Sequence, residues 1–147
     1  MKERNFRIIV VDDEPETASM IADMASMSGH EVVSFDDPYK ALQSFLKTPS
    51  DIVITDLSMP HIDGFEMIKC MRERSNSTEF IVVTGNKTIK TVFHSRGLGV
   101  NKLFFKPVKM EELLEAIEES YKRATYWVEK LHEVKDSSEI RDTNLIV

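Results

Sequence analysis

Four places in the chain carry polar residues suited to phosphoryl and hard-cation chemistry, each directly after a short apolar run. They are Asp12-Asp13-Glu14, Asp56, Thr84-Gly85 and Lys106-Pro107. Carboxylates converging on one rim repel each other, and a hard divalent cation relieves that repulsion. Mg²⁺ prefers one or two carboxylates together with waters and phosphate oxygens. A lysine and a hydroxyl on the opposite side supply a compact positive charge and a hydrogen-bond donor, which a phosphoryl group needs. A carboxylate in such a setting can be the nucleophile and form an aspartyl phosphate. In-line transfer then requires charge neutralisation on both sides of the phosphorus, by the metal and by Lys106. Each residue alone has an ordinary explanation, since Asp often caps a helix at a strand-to-helix junction. Four suitable strand ends in suitable order make that explanation insufficient.

The runs that must position these residues are Phe6–Val11, Glu31–Phe35, Ile52–Thr55, Phe80–Thr84 and Leu103–Phe105. Short, continuous and β-branched, they suit parallel strands covered on both faces. Helical stretches alternate with them: 15–27, followed by Gly29 as a stop; one opened by Asp37-Pro38; 64–74; 88–96; and one from Met110. The pattern is (βα)5. Right-handed crossovers make this an open, doubly wound parallel sheet with helices on both sides. Ligands in such sheets bind beyond the carboxyl ends of the strands, where the four polar positions lie. The second strand ends in nothing comparable, as suits a sheet edge.

Composition narrows the field. The chain has 147 residues, with 19 Lys and Arg against 25 Asp and Glu. That balance argues against direct nucleic-acid binding by phosphate neutralisation. With 41% hydrophobic and 30% charged residues, a buried core and a soluble surface are both expected. Cys70 is the single cysteine, so an intrachain disulfide framework and a cysteine-rich zinc site are excluded. No apolar run approaches the roughly 20 residues of a membrane span, and Phe6–Val11 is too short for a signal peptide's apolar core. The expectation is a soluble, cytoplasmic protein without membrane partners.

The sequence resembles the receiver domain of two-component response regulators. The residues that carry the likeness are Ile9-Val10-Val11-Asp12-Asp13-Glu14, Asp56-Leu57-Ser58-Met59-Pro60-His61-Ile62-Asp63-Gly64, Val83-Thr84-Gly85 and Phe105-Lys106-Pro107. It covers about residues 6–121, and the string Asp-x-x-Met-Pro-x-x-Asp-Gly is highly specific. The resemblance implies a flavodoxin-like strand order 2-1-3-4-5. It implies that Asp56 accepts a phosphoryl group from a phosphohistidine on a sensor histidine kinase or phosphotransfer protein. It places Mg²⁺ on Asp12, Asp13, Asp56 and the backbone carbonyl of Ser58. Thr84 and Lys106 then bind phosphoryl oxygens, with the backbone of Gly85 approaching another. Pro107 in the family often follows a cis bond that aims the lysine.

Three features bear on how closely the chain follows the family pattern. Leu103 stands where a Tyr or Phe usually turns inward on activation, so the aromatic switch is absent, or displaced to Phe105 on the same strand face; Thr84, Leu103 and Phe105 are the switch candidates. Gly85 replaces a common alanine, and function is expected to survive it. Ser58 and Asn86, at positions that tune phosphoryl lifetime, are small polar residues and imply an intermediate lifetime.

All five prolines and five glycines precede residue 108. The tail that follows has neither, and holds 6 basic and 10 acidic residues. Apolar residues at Leu114, Ile117, Tyr121, Ala124, Val128 and Leu131 step by 3, 4, 3, 4, 3, a heptad seam. The last helix is therefore expected to run to about Val134, roughly 20 Å past an ordinary receiver's end near Tyr121. It reads as a homodimerising or signalling helix over 110–134; the competing reading folds it back on its own domain. Residues 1–121 form the expected receiver domain, and 122–147 a helical extension with a frayed tail or linker. Met1 lies close to the first strand, which fits a stand-alone regulator or the front of a longer one.

The leading expectation is a phosphorylation-controlled switch with self-catalysed chemistry, not an enzyme acting on an outside substrate. The residues after the first strand argue against two of the alternatives, and the intact site set against a third. A haloacid-dehalogenase-type phosphatase needs Asp-x-Asp after its first strand, whereas Asp12 and Asp13 are adjacent. A flavodoxin needs a hydroxyl- and glycine-rich phosphate loop there, which Asp12-Asp13-Glu14 is not. A pseudo-receiver acting as an adaptor would not need the intact set, although Leu103 fits it.

Overall fold

The computed structural model describes residues 5–136. Five strands, β1 (Arg7–Val11), β2 (Glu31–Phe35), β3 (Ile52–Thr55), β4 (Glu79–Thr84) and β5 (Lys102–Phe105), form one parallel sheet in the order β2-β1-β3-β4-β5. Five helices alternate with them: α1 (Pro15–Ser26), α2 (Pro38–Lys47), α3 (Gly64–Arg74), α4 (Ile89–Gly97) and α5 (Met110–Lys135). This is the expected (βα)5 flavodoxin-like architecture, with β2 on an edge.

Alternation along the strands builds two cores. Ile8, Val10, Ile52, Ile54, Ile81 and Val83 pack with Ile21 and Ala25 of α1 and with Leu113, Ala116 and Ile117 of α5. Ile9, Val11, Val53, Phe80 and Val82 pack with Ala41 and Phe45 of α2 and Met67, Ile68 and Met71 of α3. Burying each of these larger side chains stabilises the fold by about 1.5–3 kcal/mol. Met24 joins the first core, whereas Met20 and Met27 are exposed.

Local signals start the helices where expected. Asp37 accepts from the Tyr39 amide at 2.9 Å and Asp63 from the Phe65 amide at 2.8 Å, capping α2 and α3. Thr88 accepts from the Thr91 amide at 3.1 Å and caps α4. Pro15 opens α1, and Gly29, at φ +82°, takes the left-handed conformation after it.

Two differences from expectation concern the loop after β3 and the last helix. Ser58–Met59 and Ile62–Asp63 pair as a small antiparallel ladder around Pro60-His61. Two-residue strands carry too few side chains to show a period of two. In α5 the buried residues are Leu113, Ala116, Ile117 and Ser120, while Leu114 is only half-buried. A helix lying on a sheet buries a stripe wider than a coiled-coil seam, so the seam begins one residue earlier than the heptad steps implied. Tyr121 and Ala124 still pack on the core; from Trp127 onward Val128, Leu131 and Val134 are exposed. The helix therefore projects rather than folding back onto a core of its own, and it ends at Lys135, one residue beyond the expected point. The frayed tail expected after it lies, from residue 137, outside the described residues. No helix of the described residues is long and apolar enough to cross a membrane.

Candidate functional site

Register carries the polar residues to one rim. Val11 pairs with Thr55 across β1 and β3, so Asp12 and Asp56 follow at the same level. Thr84 pairs with Phe105 across β4 and β5, so Lys106 follows one step on. Backbone bonds extend the ladder past the strands: the Asp56 amide donates to Val11 O (3.1 Å), the Asp12 amide to Phe35 O (3.1 Å) and the Lys106 amide to Thr84 O (2.9 Å). The backbones of these three residues are thus held by the sheet.

Asp12 is 1% exposed and Asp56 6% exposed. Buried carboxylates need partners, and these have them. Asp12 Oδ1 accepts from the Glu14 amide (3.0 Å), and Asp56 Oδ1 accepts from the amides of Leu57 (2.6 Å) and Ser58 (3.2 Å). The ammonium of Lys106 bridges the other two oxygens, 2.8 Å from Asp12 Oδ2 and 2.8 Å from Asp56 Oδ2. Burial pulls the lysine's pKa down, but the hydrogen bonds and charges of Asp56 and Asp12 outweigh it and hold the pKa above its ordinary value. Lys106 is thus cationic across the neutral range. The Lys106–Pro107 peptide is cis.

Carboxylate oxygens of Asp12, Asp13 and Asp56 lie within 4.8 Å of one another. All three donors are hard oxygens, and Lys106 offsets only part of their charge. That donor set fits Mg²⁺, which takes few carboxylates and fills its octahedron with water and phosphate oxygens. It does not fit zinc, which takes nitrogen and sulfur readily.

Thr84 is fully buried, its Oγ accepting from the Asn86 amide at 3.2 Å. Gly85 is exposed, and a Cβ there would meet nothing within 4 Å. Leu103 packs with the α2/α3 core and Phe104 with the α1/α5 core, as strand alternation predicts. Phe105 is half-buried, with the Lys87 ammonium 5.7 Å from its ring centroid. Cys70 is only partly buried, and the sequence marks neither Lys87 nor its ring contact.

One close approach shapes the loop after Asp56. A Cβ on Gly64 would stand 2.6 Å from Leu57 Cα and 3.0 Å from Asp56 O. The first residue of α3 must therefore be glycine for the loop to close this tightly. Tyr39 of α2 also reaches this loop, donating its hydroxyl to the His61 carbonyl at 2.5 Å. Sequence reading missed it, because nothing in the spacing between residues 39 and 61 marks a contact across the fold.

The response regulator receiver domain family model matches residues 8–118. The transcriptional regulatory protein FlgR of Helicobacter pylori is 45% identical over 87 residues, covering 59% of this chain and 22% of FlgR. The two-component response regulator PprB of Pseudomonas aeruginosa is 29% identical over 119 residues, covering 78% of this chain and 43% of PprB. The chain thus spans less than half the length of these curated relatives. A response regulator receiver domain protein from Clostridium thermocellum superposes with a TM-score of 0.77 at 24% identity, covering 83% of this chain and 98% of that one.

Proposed function

The chain belongs to the response regulator receiver domain family, and from that premise we propose that it is a phosphorylation-controlled switch in which Asp56 is the phosphoacceptor. The observation that carries this reading is the convergence of Asp12, Asp13, Asp56 and Lys106 on one rim. The donor is a phosphohistidine on a sensor histidine kinase or phosphotransfer protein. A carboxylate oxygen of Asp56 forms the new P–O bond as the P–N bond breaks, and the imidazole leaves with its electron pair and takes a proton. The Leu57 and Ser58 amides hold the other oxygen, Oδ1, in a fixed direction.

Asp12, Asp13, Asp56 and the Ser58 carbonyl would hold Mg²⁺, which supplies positive charge on one side of the phosphoryl group. Lys106 supplies it on the other. Its ammonium now neutralises Asp56 itself. Once that oxygen is phosphorylated, the negative charge sits on the phosphoryl oxygens, and the ammonium follows it. Thr84 and the Gly85 backbone serve the remaining oxygens. The chain does this chemistry on itself and not on an outside substrate. Binding of downstream partners changes through Thr84, Leu103 and Phe105. The adaptor alternative leaves the retained Asp12, Asp13, Asp56 and Lys106 cluster without a use.

The test is intact mass after incubation with a small acyl-phosphate donor. A single phosphoryl adduct is expected with Mg²⁺ present, and none after chelation with EDTA. An equal yield in both conditions, or no adduct with either the small donor or a cognate kinase, refutes the reading.

The projecting half of α5 points to a second role, self-association. Trp127, Val128, Leu131 and Val134 continue the buried stripe of α5 beyond the domain that covers its first half. Light scattering of the full chain is expected to give a dimer at high concentration, and Leu131→Asp a monomer. A monomeric mass for the unaltered chain, with and without phosphorylation, overturns this.

A further inference from the structure

We propose that Tyr39 is a positioning residue for the metal and phosphoryl site, acting through the 58–63 ladder. This inference rests on the reading of Asp12, Asp13 and Asp56 as a cation site. Tyr39 is fixed at its backbone by the Asp37 cap, which accepts its amide at 2.9 Å. Its ring is half-exposed, so packing alone does not account for where it points. The hydroxyl donates to the His61 carbonyl. Thus the first turn of α2 is tied to the tip of the ladder.

The tip needs such a tie. His61 stands at φ +71°, the left-handed region where position i+2 of a type II turn lies and glycine or asparagine is usual. A histidine there costs on the order of one kcal/mol, which the surrounding structure must offset. Pro60 before it restricts the turn from one side, and the Tyr39 hydroxyl anchors it from the other.

The other end of the ladder touches the site. Ser58 pairs with Asp63, and the Ser58 amide donates to Asp56 Oδ1 at 3.2 Å. A continuous path therefore runs from Tyr39 through His61 and the ladder to Ser58 and the Asp56 carboxylate. Groups that orient metal ligands from behind are commonly worth about 10- to 100-fold in metal affinity or activity. Tyr39 touches neither the metal nor the phosphoryl group, so its removal acts on binding and leaves the reacting atoms intact.

The experiment compares the full chain with Tyr39→Phe, which keeps the ring and removes only the donor. Mg²⁺ alone is titrated calorimetrically, and hydrogen exchange across residues 58–63 is followed without metal. Mg²⁺ affinity is expected to fall about tenfold. Exchange across the ladder is expected to quicken by roughly threefold to tenfold, the worth of one neutral hydrogen bond. The adduct-forming rate at saturating Mg²⁺ is expected to stay within about twofold, a split between binding and chemistry. Equal Mg²⁺ affinity in both proteins overturns the role of Tyr39 and leaves the site intact. Failure of the unaltered chain to bind Mg²⁺ overturns instead the reading of the site on which this role rests.

Discussion

Asp56→Asn is expected to reduce the phosphoryl adduct to below detection in intact mass spectra, with Mg²⁺ and acyl-phosphate donor in excess. An amide oxygen is a poor nucleophile, and neither of the other carboxylates occupies the same place. Asp12 is held by Lys106 and the Glu14 amide, and Asp13 is partly open to solvent. The fold is expected to survive. An asparagine oxygen still accepts from the Leu57 and Ser58 amides, and Lys106 keeps Asp12. Two electrostatic effects then compete: one ion pair is lost, and one repelling carboxylate is removed from a cluster of three. Because Lys106 retains a partner, loss of repulsion prevails in the absence of metal, by about 1 kcal/mol. The Tm of the variant should accordingly rise by roughly 3 °C without Mg²⁺. Added Mg²⁺ should erase that advantage, because it stabilises the native chain, with its full ligand set, more than the variant. An adduct of equal yield on the variant would place the phosphoacceptor elsewhere.

Gly64→Ala is expected to be the most damaging small substitution near the site. The new Cβ would lie 2.6 Å from Leu57 Cα, 2.9 Å from Leu57 O and 3.0 Å from Asp56 O. All three are backbone atoms, so no side chain can swing away. Overpacking of this kind costs about 1–3 kcal/mol, more than the gain of at most ~1 kcal/mol in helix propensity returns. Tm should fall by about 5 °C. The loop that carries the Asp56 carbonyl must also shift, so adduct formation should slow even where the protein remains folded. Gly85→Ala is the matched control: its Cβ meets nothing within 4 Å, and Tm should hardly move. Equal Tm for the two variants would show that the close approach at Gly64 is not what constrains the loop.

The fold could be read from the chain because its signals are local. Strands covered on both faces appear as unbroken apolar runs, and Asp37-Pro38 and Asp63-Gly64 announce the helices they cap. The site could be read for a related reason. In a parallel sheet every strand ends on the same rim, so the residues just after β1, β3, β4 and β5 converge wherever the chain between them goes. The seam of α5 was legible in its period but not in its use. Leu113, Ala116, Ile117 and Ser120 lie against the sheet, and periodicity does not distinguish a helix resting on its own domain from one meeting a second copy.

By itself, then, the sequence determined the order of elements and the family, and singled out Asp12, Asp13, Asp56, Thr84 and Lys106 as site candidates, all through local pattern and short motifs. Tertiary structure alone decided that Lys106 bridges Asp12 and Asp56, that Gly64 must lack a Cβ, and that Tyr39 reaches His61. The two Lys106 contacts and the Tyr39 contact join residues 94, 50 and 22 positions apart along the chain. Such distances are set by how strands and helices pack, and side-chain reach across packed elements leaves no period or spacing in the sequence.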